Sequence, residues 1–224
     1  MESRITNVGS LTSHGNVKGR KAMVEILEAG LQAADPYNNT VKLIRIEGGK
    51  LIARGNEFEP SGDSQSGTGT YDLTQIRNIY VFGAGKGIQR TARALEDILG
   101  ERLTGGHVID KKGHAVICKK VGVTLGAHPV PDEDCVKGCG IILEMSRGLT
   151  KDDLVFVLAG NGVSALLTMP VPGVTIDDVR KTTYILQVEM GVPTPELNVI
   201  RNHIDRMKSG RITRYLQPAR AIHL

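Results

Sequence analysis

Residues 78–99 read NIYVFGAGKGIQRTARALEDIL. A β-branched and aromatic run ends in a glycine-rich turn that carries one lysine, and an amphipathic helix follows with Ile88, Ala92, Leu95 and Leu99 at helical spacing. Strand, tight turn and helix is the way an α/β protein offers backbone N–H groups and the positive end of a helix dipole to an anion. Gly83, Gly85 and Gly87 permit close approach of a ligand, and Lys86 adds a full positive charge at the same point.

The pattern repeats downstream. Leu154 to Ala159, LVFVLA, is a continuous apolar run, the mark of a parallel strand buried on both faces, and GNGVSALL follows as a second glycine turn. Alternating strands and helices imply a Rossmann-like three-layer α/β/α fold with a mainly parallel sheet. Ligands in such folds bind at the carboxyl ends of strands near a topological switch point, and both glycine turns sit at such ends.

Around this centre, residues 1–17 lack periodicity and read as a flexible tail, leaving 18–224 as a single α/β domain. Lys18 to Ala34 reads as a helix stopped at Asp35-Pro36. Val41 to Ile46 and Leu51 to Arg54 form a small N-terminal hairpin about Gly48-Gly49, and Asn56 to Thr70 is a loop. Strands are expected at His107 to Ile109, Ala115 to Cys118 and Val123 to Leu125, and a helix at Asp132 to Arg147. Thr175 caps one helix with Asp178 near its third position, and Pro195 opens another. That last helix has an apolar face of Leu197, Ile200, Ile204 and Met207 and a polar face of Asn198, Arg201, Asn202 and Asp205; the closing ARAIHL reads as a buried strand.

Composition narrows the function classes. The chain has 224 residues, a net charge of +4, no tryptophan and 4% aromatic residues. Its basic residues are dispersed, which argues against nucleic-acid binding, and a small anionic substrate suits a mildly basic protein. No apolar run approaches a membrane span and the N-terminus lacks the apolar core of a signal peptide, so a cytoplasmic location is expected. Three cysteines, an odd number, argue against a disulfide framework. Cys135 and Cys139, one helical turn apart, read as core residues, and no metal site is expected from the cysteine and histidine spacing.

Four segments carry the candidate chemistry, each with a plainer reading beside it. GAGKG lacks the spacing of a Walker loop or a dinucleotide turn; it is a tight turn with a solvated lysine or an anchor for phosphate or carboxylate. In AHPVPDED, His128 suits a substrate oxygen and a carboxylate suits magnesium, although acidic residues favour helix starts for dipole reasons alone. In AGNGVSALL, Gly160 and Gly162 permit a second anion cradle, whereas Ser164 alone reads as a helix cap. In ELNVIRNHIDRMKSGR, the face of Asn198, Arg201 and Asp205, with Lys208 beside it, is either solvated surface or the cationic wall of a cleft.

In this order the four segments resemble the type 2 glycerate kinases, whose C-terminal domain is called MOFRL. Their GKAA, HPxPDE, SGGGSALL and VRKHLSxIKGG segments appear here as GKGI, HPVPDE, GNGVSALL and IRNHIDRMKSG, from about Lys18 to the end. The resemblance implies transfer of the γ-phosphate of ATP to D-glycerate, giving 2-phosphoglycerate with Mg2+, and Lys86 in the catalytic position. It implies that His128, Ser164, Asn198, Arg201 and Lys208, with the glycines of both turns, bind the substrate. The sequence departs from the pattern at Gly160, Asn161 and Val163 in the second turn, at Asp205, and at Ser209 in place of a glycine. The MOFRL segment is not among these residues, so the resemblance leaves three readings: the sequence is a fragment, a separate MOFRL-type chain is a partner that supplies the rest, or the catalytic function has been lost; a homo-oligomer is compatible. The alternatives are a non-catalytic ligand-binding module and a hydroxypyruvate reductase.

Overall fold

A computed structural model describes residues 3–53 and 69–224. The chain opens with a short helix α1 (Val8–Leu11) and a long helix α2 (Val17–Ala33). The segment expected to be a tail therefore holds a helical turn, and it is tied to the body where Glu28 accepts hydrogen bonds from the Ser3 hydroxyl and the Arg4 and Ile5 amides. Arg4 also pairs with the buried Asp35. Asp35-Pro36 ends α2 as expected, but it also starts a helix that the alternation at Val41 concealed. The Asp35 carboxylate accepts from the amides of Tyr37 and Asn38, Pro36 takes the first helical position, and α3 (Pro36–Leu43) results.

The hairpin is part of a three-stranded antiparallel sheet of β1 (Ile44–Glu47), β2 (Lys50–Ala53) and β3 (Gly69–Asp72). Gly69 and Thr70, expected in a loop, pair with Ala53 and Ile52; Arg54 and the remainder of that loop, 56–68, lie outside the described residues.

The main sheet contains β4 (Ile79–Ala84), β5 (Gly105–Lys111), β6 (Gly122–Gly126), β7 (Leu154–Ala159) and β8 (Arg220–His223), in the order β6-β5-β4-β7-β8 with every neighbouring pair parallel. Its faces follow the two-residue period. Ile79, Val81, Phe156 and Leu158 point to α4 (Ile88–Leu99) and the small sheet, whereas Phe82, Ile109, Val155 and Val157 point to α5 (Glu133–Ser146). Cys135 and Cys139 are buried in that second layer, as expected of core residues. Gly138 is tolerated in α5 because a Cβ there would lie 2.6 Å from Cγ1 of Ile109; the helix needs a bare backbone to approach the sheet.

Ala115 to Cys118 is no strand. The crossing from β5 to β6 runs along α4, held by Gln89, which accepts from the Ile117 amide, and by Glu96, which accepts from the amides of Lys119, Lys120 and Val121. After β7 come α6 (Val163–Leu166), α7 (Ile176–Thr183), a π-helical stretch Tyr184–Glu189, α8 (Thr194–His203) and α9 (Ile212–Leu216). The capping box of Thr175 and Asp178 is present. Helix α8 is shorter than its sequence pattern: it stops at His203, and Asp205 turns the chain by accepting from the amides of Met207 and Lys208. The last strand, β8, is an edge strand in which only Ile222 is buried.

Candidate functional site

From β4 the chain adds β5 and β6 on one side, then returns to place β7 on the other. The switch point thus lies between the C-terminal ends of β4 and β7, where the two glycine turns stand side by side. They are laced together by hydrogen bonds from the Gly160 amide to the Ala84 carbonyl (3.0 Å) and from the Lys86 amide to the Asn161 carbonyl (2.7 Å). Glycine is required for the contact itself. A Cβ on Gly83 would lie 2.2 Å from the Leu158 carbonyl oxygen, and one on Gly85 would lie 2.4 Å from Cα of Gly160.

This lacing changes what the first turn offers a ligand. The Gly85 amide donates to Ile109, the Lys86 amide to Asn161, the Ile88 amide to Gly85, and the Gly87 amide to the buried carboxylate of Asp110 (2.8 Å). The expected cradle of main-chain donors at Gly83, Gly85 and Gly87 is internally satisfied, so this turn presents the Lys86 ammonium alone. The second turn is the open one. Among the described residues the amides of Asn161, Gly162 and Ser164 have no acceptor. Ser164 is not a cap: it lies inside α6, whose N-cap is Gly162, and its side chain has no cap bond.

His128 closes the third side. A Cβ on Gly162 would meet Cδ2 and Nε2 of His128 at 2.7 Å and Cε of Lys86 at 3.2 Å, so the imidazole and the lysine stem both stand over this turn. Partial burial, then the positive charges of Lys86, Lys111 and Arg201, hold the His128 imidazole below its usual pKa. The ring is therefore neutral at pH 7. Lys111 was not singled out from the sequence; the signal for it was its place at the C-terminal end of the strand beside β4.

Arg201 is only 4% exposed, so of the two readings of this face the solvated surface does not hold for it. Its Nη2 donates to the Pro129 carbonyl (3.3 Å) and to Oε1 of Gln187 (3.1 Å) on the π-helical stretch, while its buried Nε has no partner among the described residues. Oδ1 of Asn198, one turn earlier, is likewise buried without a donor. An unpaired donor and an unpaired acceptor thus stand three residues apart on one helix among the described residues. Val199 and Ile200 of α8 face outward, 59% and 40% exposed. The apolar stripe read through Ile200 was therefore displaced by the burial of Arg201.

Lys208 is a structural cation. Its ammonium donates to the Leu167 carbonyl (2.9 Å), the Thr168 hydroxyl (2.9 Å) and the Asp205 carboxylate, which leaves no proton for a ligand. It nevertheless borders a cavity of about 270 Å3 between the ends of β7 and β8, α6 and the loop 207–210. In that loop Ser209 adopts φ +53°, a left-handed conformation that favours glycine.

The acidic residues after His128 serve structure. Asp132 caps α5 through the Cys135 amide and also receives the Ala127 amide, and both Asp132 and Asp134 pair with Lys112. Among the described residues no group of three His, Cys, Asp or Glu is arranged to hold a metal ion, so these residues do not by themselves fit a magnesium site. No helix of the described residues is long and apolar enough to cross a membrane.

Residues 22–224 match the family described as a domain of unknown function (DUF4147). A protein from Pyrococcus horikoshii named glycerate 2-kinase is 29% identical over 198 residues, covering 88% of this chain and 41% of the relative. A putative hydroxypyruvate reductase from Agrobacterium vitis is 33% identical over 144 residues, 64% of this chain and 37% of the relative. Among solved structures, a Pyrococcus horikoshii protein aligns with a TM-score of 0.74 at 27% identity, covering 91% of this chain and 42% of that one. A glycerate kinase from Thermotoga maritima aligns with a TM-score of 0.68 at 25% identity over the same shares. The chain thus spans about two fifths of the length of these proteins.

Proposed function

Because the chain belongs to the DUF4147 family, whose resemblance here runs to glycerate kinases, we propose that it forms the substrate-binding half of a phosphotransferase. In this reading ATP phosphorylates D-glycerate, or a similar small hydroxy acid, to 2-phosphoglycerate in the cytoplasm. A MOFRL-type domain or separate chain completes the site, in keeping with the share of the relatives that this chain spans.

The observation that carries the reading is the convergence of Lys86, His128 and the open amides of Asn161, Gly162 and Ser164 at the switch point, with Lys111 and Arg201 acting on the same imidazole. It is a cluster of positive charge and hydrogen-bond donors. Phosphoryl transfer asks a protein mainly for positioning and charge stabilisation, which such a cluster supplies.

The substrate carboxylate accepts from Nε of Arg201, and a substrate hydroxyl donates to Oδ1 of Asn198, satisfying both orphaned atoms. The attacking hydroxyl oxygen bonds to the γ-phosphorus as the bond to the bridging oxygen of ADP breaks. The neutral His128 ring takes the hydroxyl proton, and Lys86 balances the charge on the transferring group. Magnesium, for which the described residues offer no site of their own, would be held by the nucleotide phosphates and would add positive charge there.

The test is ATP-dependent phosphorylation of D-glycerate by the chain with its completing domain, with the product identified by 31P NMR. Loss of turnover in Lys86→Ala supports the assignment; unchanged turnover removes Lys86 from catalysis. The reductase reading, which the name of the Agrobacterium vitis relative raises, requires NAD(P)H oxidation by hydroxypyruvate, measured in the same preparation at 340 nm. Glycerate binding without turnover of either kind in the completed protein identifies a non-catalytic module.

A further inference from the structure

The cavity of about 270 Å3 beside β8 lies outside the cationic cluster, yet it shares a wall with it. Gly83 and Ser164 line the cavity; the first precedes the lysine turn, and the second supplies the last open amide of the other turn. The floor is aliphatic, formed by Leu158, Leu167, Met207 and Ile212. Polar groups stand at its edge: Asn202, Ser209 and His223 have side chains with no hydrogen-bond partner among the described residues. An apolar slot with a few unengaged donors and acceptors is the usual form of a small-molecule site. The volume is just under the roughly 300 Å3 at which such sites begin, enough for a heterocyclic ring system with its sugar and too small for a chain of phosphates as well.

We propose that this cavity holds the nucleoside part of the phosphoryl donor, with the phosphate chain leaving across Ser164 toward Lys86. The inference rests on the kinase reading and adds to it a second subsite that the motifs did not indicate. The two ligands then approach Lys86 from opposite sides. The hydroxy acid lies by Arg201 and His128, and the nucleotide lies between α6 and β8. Asn202, Ser209 and His223 recognise the edge of the base or sugar, and the aliphatic floor accepts its face. The loop 207–210 is braced for this by the buried ion pair of Lys208 with Asp205, which fixes the wall without lending its charge to the ligand.

The experiment uses the whole chain labelled with 13C at methionine and isoleucine methyls. Adenosine and ADP shift the methyl signals of Met207 and Ile212, while tripolyphosphate leaves both in place. Shifts from ADP confined to the surroundings of Lys86 and Arg201, or methyl shifts reproduced by tripolyphosphate, overturn the assignment. Ile212→Phe, which fills the cavity from α9, weakens ADP binding by about tenfold or more, and Asn202→Leu does so without adding bulk. In both variants the affinity for D-glycerate stays within about twofold of the parent, because the hydroxy acid lies on the other side of Lys86. If glycerate phosphorylation proceeds and ADP affinity ignores both substitutions, the nucleoside lies elsewhere and the kinase reading stands. If glycerate itself fails to bind and no phosphate is transferred, the kinase reading falls first.

Discussion

Replacing Gly162 with alanine, alongside the same change at Gly87, separates backbone strain from damage to the site. Both glycines precede a helix in the left-handed region, at φ +80° and +72°. An alanine there costs about 1–2 kcal/mol, so each variant loses about 2–8 °C in melting temperature for a chain of this size. Beyond that the two positions differ. A Cβ at Gly87 finds open space, whereas one at Gly162 lies 2.7 Å from two ring atoms of His128 and 3.2 Å from the Lys86 stem. The imidazole cannot stay in place. Loss of one charged or well-aligned hydrogen bond to a bound anion costs about 1.5–3 kcal/mol, so Gly162→Ala weakens glycerate binding by about 10- to 100-fold, read by calorimetry. Gly87→Ala leaves that affinity within about twofold, because the Gly87 amide serves Asp110 and not a ligand. Equal affinities in the two variants would falsify the placement of the ligand between Gly162, His128 and Lys86.

Further outcomes follow from single contacts. His128 titrates below its ordinary 6.5; Lys86→Gln raises that value because the closest positive charge disappears, and histidine NMR across pH 5–8 measures it. Because the folded state resists this protonation, stability contributed by the neutral ring is present above the unfolded value and is lost as pH falls through it. Glu96→Ala costs about 3 kcal/mol or more in urea unfolding, since three backbone amides of the β5–β6 crossing lose a buried acceptor; a loss below about 1 kcal/mol would show that the crossing is held by other contacts. Burial pushes the Glu96 pKa up but its amide partners bring it below the ordinary value, so this stability is present above the unfolded pKa and fades as pH falls through the folded one. Ser209→Gly gains about 0.5–1 kcal/mol by relieving a left-handed serine; a loss of stability would mean that the serine side chain repays its strain.

The architecture was legible because short-range chemistry and burial point the same way. LVFVLA is apolar on both faces, and it is a parallel strand over the six residues read, Leu154–Ala159. The capping box at Thr175 is a local event, complete within four residues. Element ends that depend on competition were harder. Val41 and Lys42 alternate like a strand, but Asp35 and Pro36 nucleate a helix upstream that runs through them. Ala115 to Cys118 is apolar enough for a strand, but Gln89 and Glu96 take up the amides of this crossing.

The candidate site divides along the same line. Sequence determined that a lysine and two glycine turns stand at strand ends, because residue type and order along the chain establish that much. Only the tertiary structure decided which turn keeps open amides, because the donors of the first are claimed by Ile109, Asp110 and Asn161, residues distant in sequence. It also decided that Lys208 is buried in an ion pair while Nε of Arg201 has no partner among the described residues. A helical wheel gives the angle of a side chain about its own axis, and what that side chain meets depends on segments packed against it from elsewhere in the fold.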